Sequence, residues 1–174
     1  MLHYNKFESP IGTILLIAKS SGLCYAEFEE DHDSEKKLQD ISTKLREDLC
    51  KGNSEILESA EMQLSSYFKK DLTDFNITLD PVGTDFQKTV WSSLQEIPYG
   101  KLKTYKIQSE DLKSPDAIRA IASANGKNPI AIIIPCHRVI GSDGTLTGYA
   151  GGLWRKKWLL EHECSLNAGQ VSLF

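Results

Sequence analysis

A thiol, an imidazole and a guanidinium follow one another at Cys136, His137 and Arg138, directly after Pro135 and the β-branched run Ile130-Ala131-Ile132-Ile133-Ile134. The thiolate is the nucleophilic form of cysteine, and a neighbouring imidazole or guanidinium favours it. A cysteine at the end of an apolar strand is in most settings only a buried structural thiol. Here a proline breaks the strand just before it. Neighbouring residues of an extended chain point to opposite faces, so a turn or a bridging water must connect His137 to Cys136. A carboxylate that orients the imidazole would complete the set. Glu163 is the candidate: it lies four residues after Leu159 and three after Leu160, on the apolar stripe of the last helix, whereas Glu161 lies off it. A carboxylate on a buried face needs a partner, and a histidine is a natural one.

The elements that must position these groups are legible in outline. Thr84 followed by Gln87 reads as a capping box, after which Phe86, Val90, Leu94 and Ile97 mark one buried helical face that ends at Pro98-Tyr99-Gly100. A short helix should begin after Thr104. Ser114-Pro115-Asp116 supplies an N-cap, a first-turn proline and a first-turn acid for the next. Two short helices joined by a tight turn have the outline of a helix-turn-helix. On the second of them Ile118, Ile121 and Ala122 should face inward, leaving Arg119, Ala120 and Ser123 as a small outward face with one cation. Taken alone, such a pair is common in proteins that bind no nucleic acid.

The chain has 174 residues, 40% hydrophobic and 25% charged, which is ordinary globular composition and enough length for one or two cores. Its apolar runs are far shorter than the ~20 residues of a membrane span, and the first residues show no signal-peptide pattern. The four cysteines form no CxxC pair and read as free thiols of a reducing compartment. A soluble cytoplasmic protein is therefore expected, or a nuclear one in a eukaryote. Residues 1–81 carry nine basic against sixteen acidic side chains, and residues 82–174 carry eleven against eight. Only the second half suits a phosphate backbone. In the first, residues 12–18 and 23–28 read as strands joined at Lys19-Ser20-Ser21-Gly22, Leu57 to Phe68 as a helix, and Phe75 to Leu79 as a short strand. His3, Cys24 and His32 match no zinc spacing, so no metal is expected.

Pro135-Cys136-His137-Arg138-Val139, with Asn128-Pro129 before it and Gly148-Tyr149-Ala150-Gly151-Gly152 and Trp158 to Glu163 after it, resembles the O6-alkylguanine-DNA alkyltransferases, or methylated-DNA–protein-cysteine methyltransferases. The likeness runs from about Gly83 to Glu163, while the first 80 residues resemble the family only in length and general pattern. It implies an α+β protein: residues 1–80 a small α/β domain with an antiparallel sheet, and residues 81–164 a mainly helical, winged-helix-like domain with the helix-turn-helix. Residues 165–174 read as a flexible tail. The implied activity is a single-turnover transfer of the alkyl group of O6-alkylguanine, and of O4-alkylthymine, to Cys136, with no cofactor. His137 would take the thiol proton through a water, Glu163 would hold the ring, Asn128 would brace the turn, and Tyr105 would give a proton to the leaving base. A monomer would bind double-stranded DNA through the minor groove with Arg119, Ala120, Ser123, Ser114 and Thr104, Arg119 filling the gap left by the flipped nucleotide. Tyr149, Ala150, Ala131 and Val139 would line the base pocket.

Two positions depart from a common family pattern. Ala131 stands where some members carry proline, and Ala150 where some carry serine. Two other readings compete. A damage-binding module without repair activity would lack the acceptor cysteine, which is present. A Cys-His hydrolase would turn over, and hydrolases usually separate the two residues in sequence.

Overall fold

The structure is a computed structural model that describes residues 1–30 and 34–164. The expected tail at 165–174, and His32 among the groups weighed as metal ligands, lie outside the described residues. The chain divides into two compact units, Met1–Val82 and one that begins at Gly83.

The first unit is built on a four-stranded sheet in the order β3-β2-β1-β4. Strands β1 (Leu2–Ser9), β2 (Gly12–Lys19) and β3 (Gly22–Phe28) form an antiparallel meander. Strand β4 (Leu49–Lys51) pairs parallel with β1. Helix α1 (Ser34–Leu45) lies between β3 and β4 in sequence, and α2 (Glu55–Phe68) follows. Ile41 of α1 packs with Leu15, Ile17, Cys24 and Tyr25. Helix α2 buries Leu57, Ala60, Leu64 and Tyr67 and packs against β1, β2 and β3. With both faces covered, the central strand reads as an unbroken apolar run, Ile14 to Ala18, instead of alternating.

One expectation fails in this unit. Phe75 to Leu79 is not a strand: it touches the sheet edge through one parallel bridge, Leu23 with Leu79, closed by hydrogen bonds from Leu23 to Thr78 and from Asp80 to Leu23. The sheet is antiparallel as expected over its first three strands, with the short β4 added in parallel on β1.

The second unit is mainly helical. Helix α3 (Asp85–Gln95) starts with the expected capping box, Thr84 and Gln87 each bonding the other's backbone. Phe86, expected inside, is 45% exposed. Trp91, which the expectation did not name, is buried instead, its ring 2.4 Å from the would-be Cβ of Gly83. Strand β5 (Lys103–Thr104) leads into α4 (Tyr105–Asp111), capped by the Thr104 hydroxyl. A 3-10 turn, Pro115–Ala117, then precedes α5 (Ile118–Gly126). Ser114 does not cap, because its hydroxyl turns back to the Leu112 carbonyl at 3.3 Å and the turn closes through backbone bonds. Ile118 opens α5 and is 37% exposed, so it is not an inward residue.

A buried polar net locks this helix pair. Gln108 and Asn125 exchange side-chain hydrogen bonds of 3.2 and 2.7 Å, Gln108 also donates to Ser93, and the Trp91 indole donates to the Ala124 carbonyl. Each buried amide is satisfied, so the net fixes one orientation of α4 and α5 on α3. The chain then turns through a second 3-10 segment, Cys136–Arg138, into β6 (Val139–Ile140), which pairs with β5, and ends in α6 (Leu153–His162). Among the described residues no helix is long and apolar enough to cross a membrane.

Candidate active site

Ile130 to Ile134 is not the strand its composition suggests. It is a tight turn, in which Ile134 donates to the Ile130 carbonyl at 3.0 Å and Ile133 to the Ala131 carbonyl at 2.8 Å. Ile132 at its centre has φ 72°, a left-handed conformation that a β-branched residue adopts only at a cost of order 1–3 kcal/mol. Asn128 overrides the β-propensity. Its side-chain oxygen accepts from Ile130 N, while its Nδ2 donates to the Ile134 carbonyl at 2.8 Å and to Cys136 Sγ at 3.3 Å. One amide thus clamps both ends of the turn and touches the thiol it delivers.

Cys136 opens the 3-10 segment, 9% exposed, and His137 is fully buried beside it. His137 Nε2 lies 2.8 Å from Glu163 Oε1. Glu163 is the residue just after α6, placed by the stripe that Leu159 and Leu160 define. It also accepts a forked pair from Arg138, Nε to Oε2 at 2.9 Å and a terminal nitrogen to Oε1 at 3.0 Å, and the Gly100 amide points at Oε2. Burial alone would push this carboxyl up, but the charge and hydrogen bonds of His137 and Arg138 hold it well below the usual carboxylate range. An ionised carboxylate can only accept, so His137 must carry its proton on Nε2. Nδ1 is then an acceptor, buried and without a hydrogen-bond partner among the described residues.

Arg138 does not do what adjacency suggested. Its guanidinium is spent on Glu163 and on the Ile97 carbonyl, 2.6 Å away, and lies over the Tyr99 ring, so it is not the cation that favours the thiolate. Burial raises the Cys136 thiol, against the Asn128 hydrogen bond and the charge of Lys156. Burial lowers the basicity of His137; Glu163 opposes this, while Arg138 and Lys156 reinforce it. The resting pair at neutral pH is a neutral thiol and a neutral imidazole.

Lys156 is the site residue that sequence reasoning missed. It is fully buried on α6, and it donates to the carbonyls of Thr147 and Gly148 at 2.9 and 3.4 Å. The signal was available: it stands three residues before Leu159 and seven before Glu163, on the same stripe. Tyr105, at the start of α4, donates its hydroxyl to the same Thr147 carbonyl at 2.9 Å. Tyr149 has its hydroxyl buried without a partner among the described residues, and burial pushes it up. Ala131 is half-buried in the turn, Val139 is fully buried on β6, and Ala150 is exposed.

Arg119, Ala120 and Ser123 are exposed along α5 as expected. Thr104 and Ser114 are half-buried with their hydroxyls engaged in a helix cap and in the Leu112 turn. No group of three or more metal-ligating side chains occurs among the described residues.

Both units match known proteins. Residues 85–165 match the family model described as 6-O-methylguanine DNA methyltransferase, DNA binding domain, and residues 2–81 match its ribonuclease-like domain. A methylated-DNA–protein-cysteine methyltransferase of Methanosarcina acetivorans is 46% identical over 164 residues, 94% of this chain and 99% of that protein. One of Mycobacterium tuberculosis is 41% identical over 174 residues, covering 100% and 99%. Among solved structures, the M. tuberculosis O6-methylguanine methyltransferase superposes with a TM-score of 0.80 at 41% identity, over 97% of this chain and 96% of that one. The same organism's protein in complex with DNA gives 0.78 at 40%, over 94% and 93%.

Proposed function

The chain belongs to the 6-O-methylguanine DNA methyltransferase family, and on that premise we propose that it repairs DNA by moving the alkyl group of O6-alkylguanine onto its own Cys136. The observation that carries the assignment is the buried His137, the residue after Cys136, whose Nε2 is tied to Glu163 while Nδ1 remains a buried acceptor without a hydrogen-bond partner among the described residues.

The reaction follows from that asymmetry. A bridging water carries the thiol proton from Cys136 to Nδ1, since buried polar groups without a protein partner are ordinary sites for water. The thiolate attacks the alkyl carbon. A sulfur–carbon bond forms, the carbon–O6 bond breaks, and its electron pair leaves with the base. Tyr105 gives its hydroxyl proton to the departing guanine, which improves the leaving group. Glu163 and Arg138 fix the imidazole throughout. The thioether product is stable, so one molecule serves once, and O4-alkylthymine is open to the same displacement.

Access to the base requires DNA. The α5 face of Arg119, Ala120 and Ser123 is small enough for the minor groove, about 6 Å wide, and Arg119 takes the place of the extruded nucleotide. Minor-groove edges offer a degenerate code, so little sequence preference is expected. The protein acts as a monomer.

Duplex DNA carrying labelled O6-methylguanine tests the reading. One equivalent of label should appear on the peptide containing Cys136. Binding without transfer, or turnover with released label, would sink it in favour of a damage-binding module or a hydrolase.

A further inference from the structure

The polar net behind the helix pair runs on to the nucleophile's turn. Asn125, 4% exposed near the end of α5, and Gln108, fully buried on α4, exchange side-chain amides: Asn125 Nδ2 donates to Gln108 Oε1 at 2.7 Å, and Gln108 Nε2 donates to Asn125 Oδ1 at 3.2 Å. Gln108 Nε2 also donates to Ser93 Oγ at 3.1 Å, and that hydroxyl donates to the Val90 carbonyl of α3 at 2.7 Å. The main chain carries the run further. The Asn125 carbonyl accepts from Asn128 N at 3.2 Å, and the neighbouring Ala124 carbonyl accepts from the Trp91 indole at 2.8 Å. Asn128 is the residue whose amide closes the Ile130 to Ile134 turn and donates to Cys136 Sγ. An unbroken series of hydrogen bonds therefore joins α3 and α4, through Asn125, to the thiol.

Stability alone does not call for such a pair, because two buried partners replaced together by apolar groups of the same shape leave the fold about as stable. What apolar contact lacks is direction. Two amides that satisfy each other do so at one rotation of α5 on α4, and that rotation sets where Asn128 begins. Arg119, exposed on the same helix, stands about 9 Å from Asn125 along the axis at a rise of ~1.5 Å per residue.

We propose that Asn125 and Gln108 are positioning residues for alkyl transfer: their amide exchange holds the end of α5 at the rotation from which Asn128 clamps the turn and meets the thiol, so that the helix carrying Arg119 also aims Cys136. Neither side chain touches the reacting atoms, and both act through Asn128. The consequence for rate rests on the alkyl-transfer reading, but the placement of the turn does not depend on DNA.

Gln108→Leu combined with Asn125→Leu removes both amides without leaving either buried and unpaired. The urea midpoint of the second unit should stay close to the natural one. In the full chain without DNA, hydrogen exchange at the Ile130, Ile134 and Cys136 amides, all bonded within the turn, should speed about 10-fold. The single-turnover transfer rate from O6-methylguanine duplex at saturating protein should fall about 10-fold. Natural exchange at the turn, or a natural transfer rate, overturns the proposal. So does exchange that speeds equally across α3, α4 and α5, which would make the pair a matter of stability alone. If the leucine pair does not fold, as judged by circular dichroism, Gln108→Met, which keeps the length and breaks the exchange from one side, decides on the same measurements. A natural protein that takes no label from alkylated DNA, with exchange at the turn still dependent on the pair, rejects the repair reading and leaves the positioning role standing.

Discussion

Cys24 and Cys136 are both buried thiols whose acidity burial weakens, one in each unit, and they differ in everything around them. Cys24 sits in an apolar cluster on β3, donates to the Ile17 carbonyl and is pushed up to about 11. Cys136 accepts from the Asn128 amide, is followed in sequence by a buried imidazole, and has its acidity raised by the charge of Lys156. The contrast extends to the units themselves. The buried amides and charged groups among the described residues, from Gln108 to Glu163, belong to the second unit, while the first leaves only the Tyr25 hydroxyl and one Glu29 oxygen buried without a hydrogen-bond partner and keeps pairs such as Lys19 with Asp80 part-exposed. Burying polar groups weakens a fold unless each is satisfied. The second unit accepts that cost where the chemistry is done; the first carries a conventional core.

The largest effect should separate the two thiols. Cys136→Ser should reduce alkyl transfer to background and spare DNA binding, because a hydroxyl lacks the nucleophilicity of a thiolate. Cys24→Ser should leave transfer unchanged and cost only about 1–2 kcal/mol of stability. Label found on Cys24, Cys50 or Cys164 with Cys136 unmodified would erase the distinction.

Breaking the buried carboxylate comes next. Glu163→Ala strands Arg138 and His137 and should cost the second unit about 3–5 kcal/mol. Urea unfolding followed by tryptophan fluorescence reports that unit alone, since Trp91, Trp154 and Trp158 all lie in it. The Glu163 carboxyl is held below its unfolded value of 4.5, so its contribution is complete above that pH and declines as pH falls toward the folded value. The natural protein should lose stability below about pH 4.5 more steeply than Glu163→Gln. For transfer rate, His137→Ala with Glu163→Ala should lose little more than the worse single change, and additive losses would show that they do not act as one unit.

Arg119→Ala sharpens the comparison on the DNA side. Duplex repair should slow by about 1–3 kcal/mol, roughly 5- to 150-fold, while repair of the free base hardly changes. Arg119→Lys should recover part of the rate, keeping charge without the planar stacking surface. Recovery of the natural rate by the Ala variant at saturating protein would reduce Arg119 to a phosphate contact. The smallest effect falls on a helix start: Thr84→Ala removes one half of the capping box and should lower second-unit stability by about 1 kcal/mol in the same urea measurement.

Local signals carried much of this architecture into the sequence. The Thr84 capping box, the α4 start at Thr104 and the placement of Glu163 by Leu159 and Leu160 all depend on residues a few positions apart. What escaped depends on tertiary context. Ile130 to Ile134 has the composition of a strand, and only the two-ended clamp of Asn128 makes it a turn. Phe86 is exposed while Trp91 is buried against Gly83, a packing that helical spacing alone did not predict. Arg138 looked like a partner for Cys136 by adjacency, yet its fork reaches a carboxylate 25 residues away. Lys156 was hidden by an expectation about residue type, although its spacing gave it away. β4 escaped because three residues paired in parallel with a distant strand leave almost no periodicity.

The 9% exposure of Cys136 has a consequence for the time the protein spends waiting. A molecule used once has to keep its sulfur reduced until a lesion arrives. Oxidants attack the thiolate form of accessible cysteines. Cys136 rests as a protonated thiol behind a closed turn, while Cys50 and Cys164 are exposed. The burial that makes the nucleophile hard to ionise therefore also preserves it, and oxidative damage falls first on the two cysteines whose loss leaves repair capacity intact.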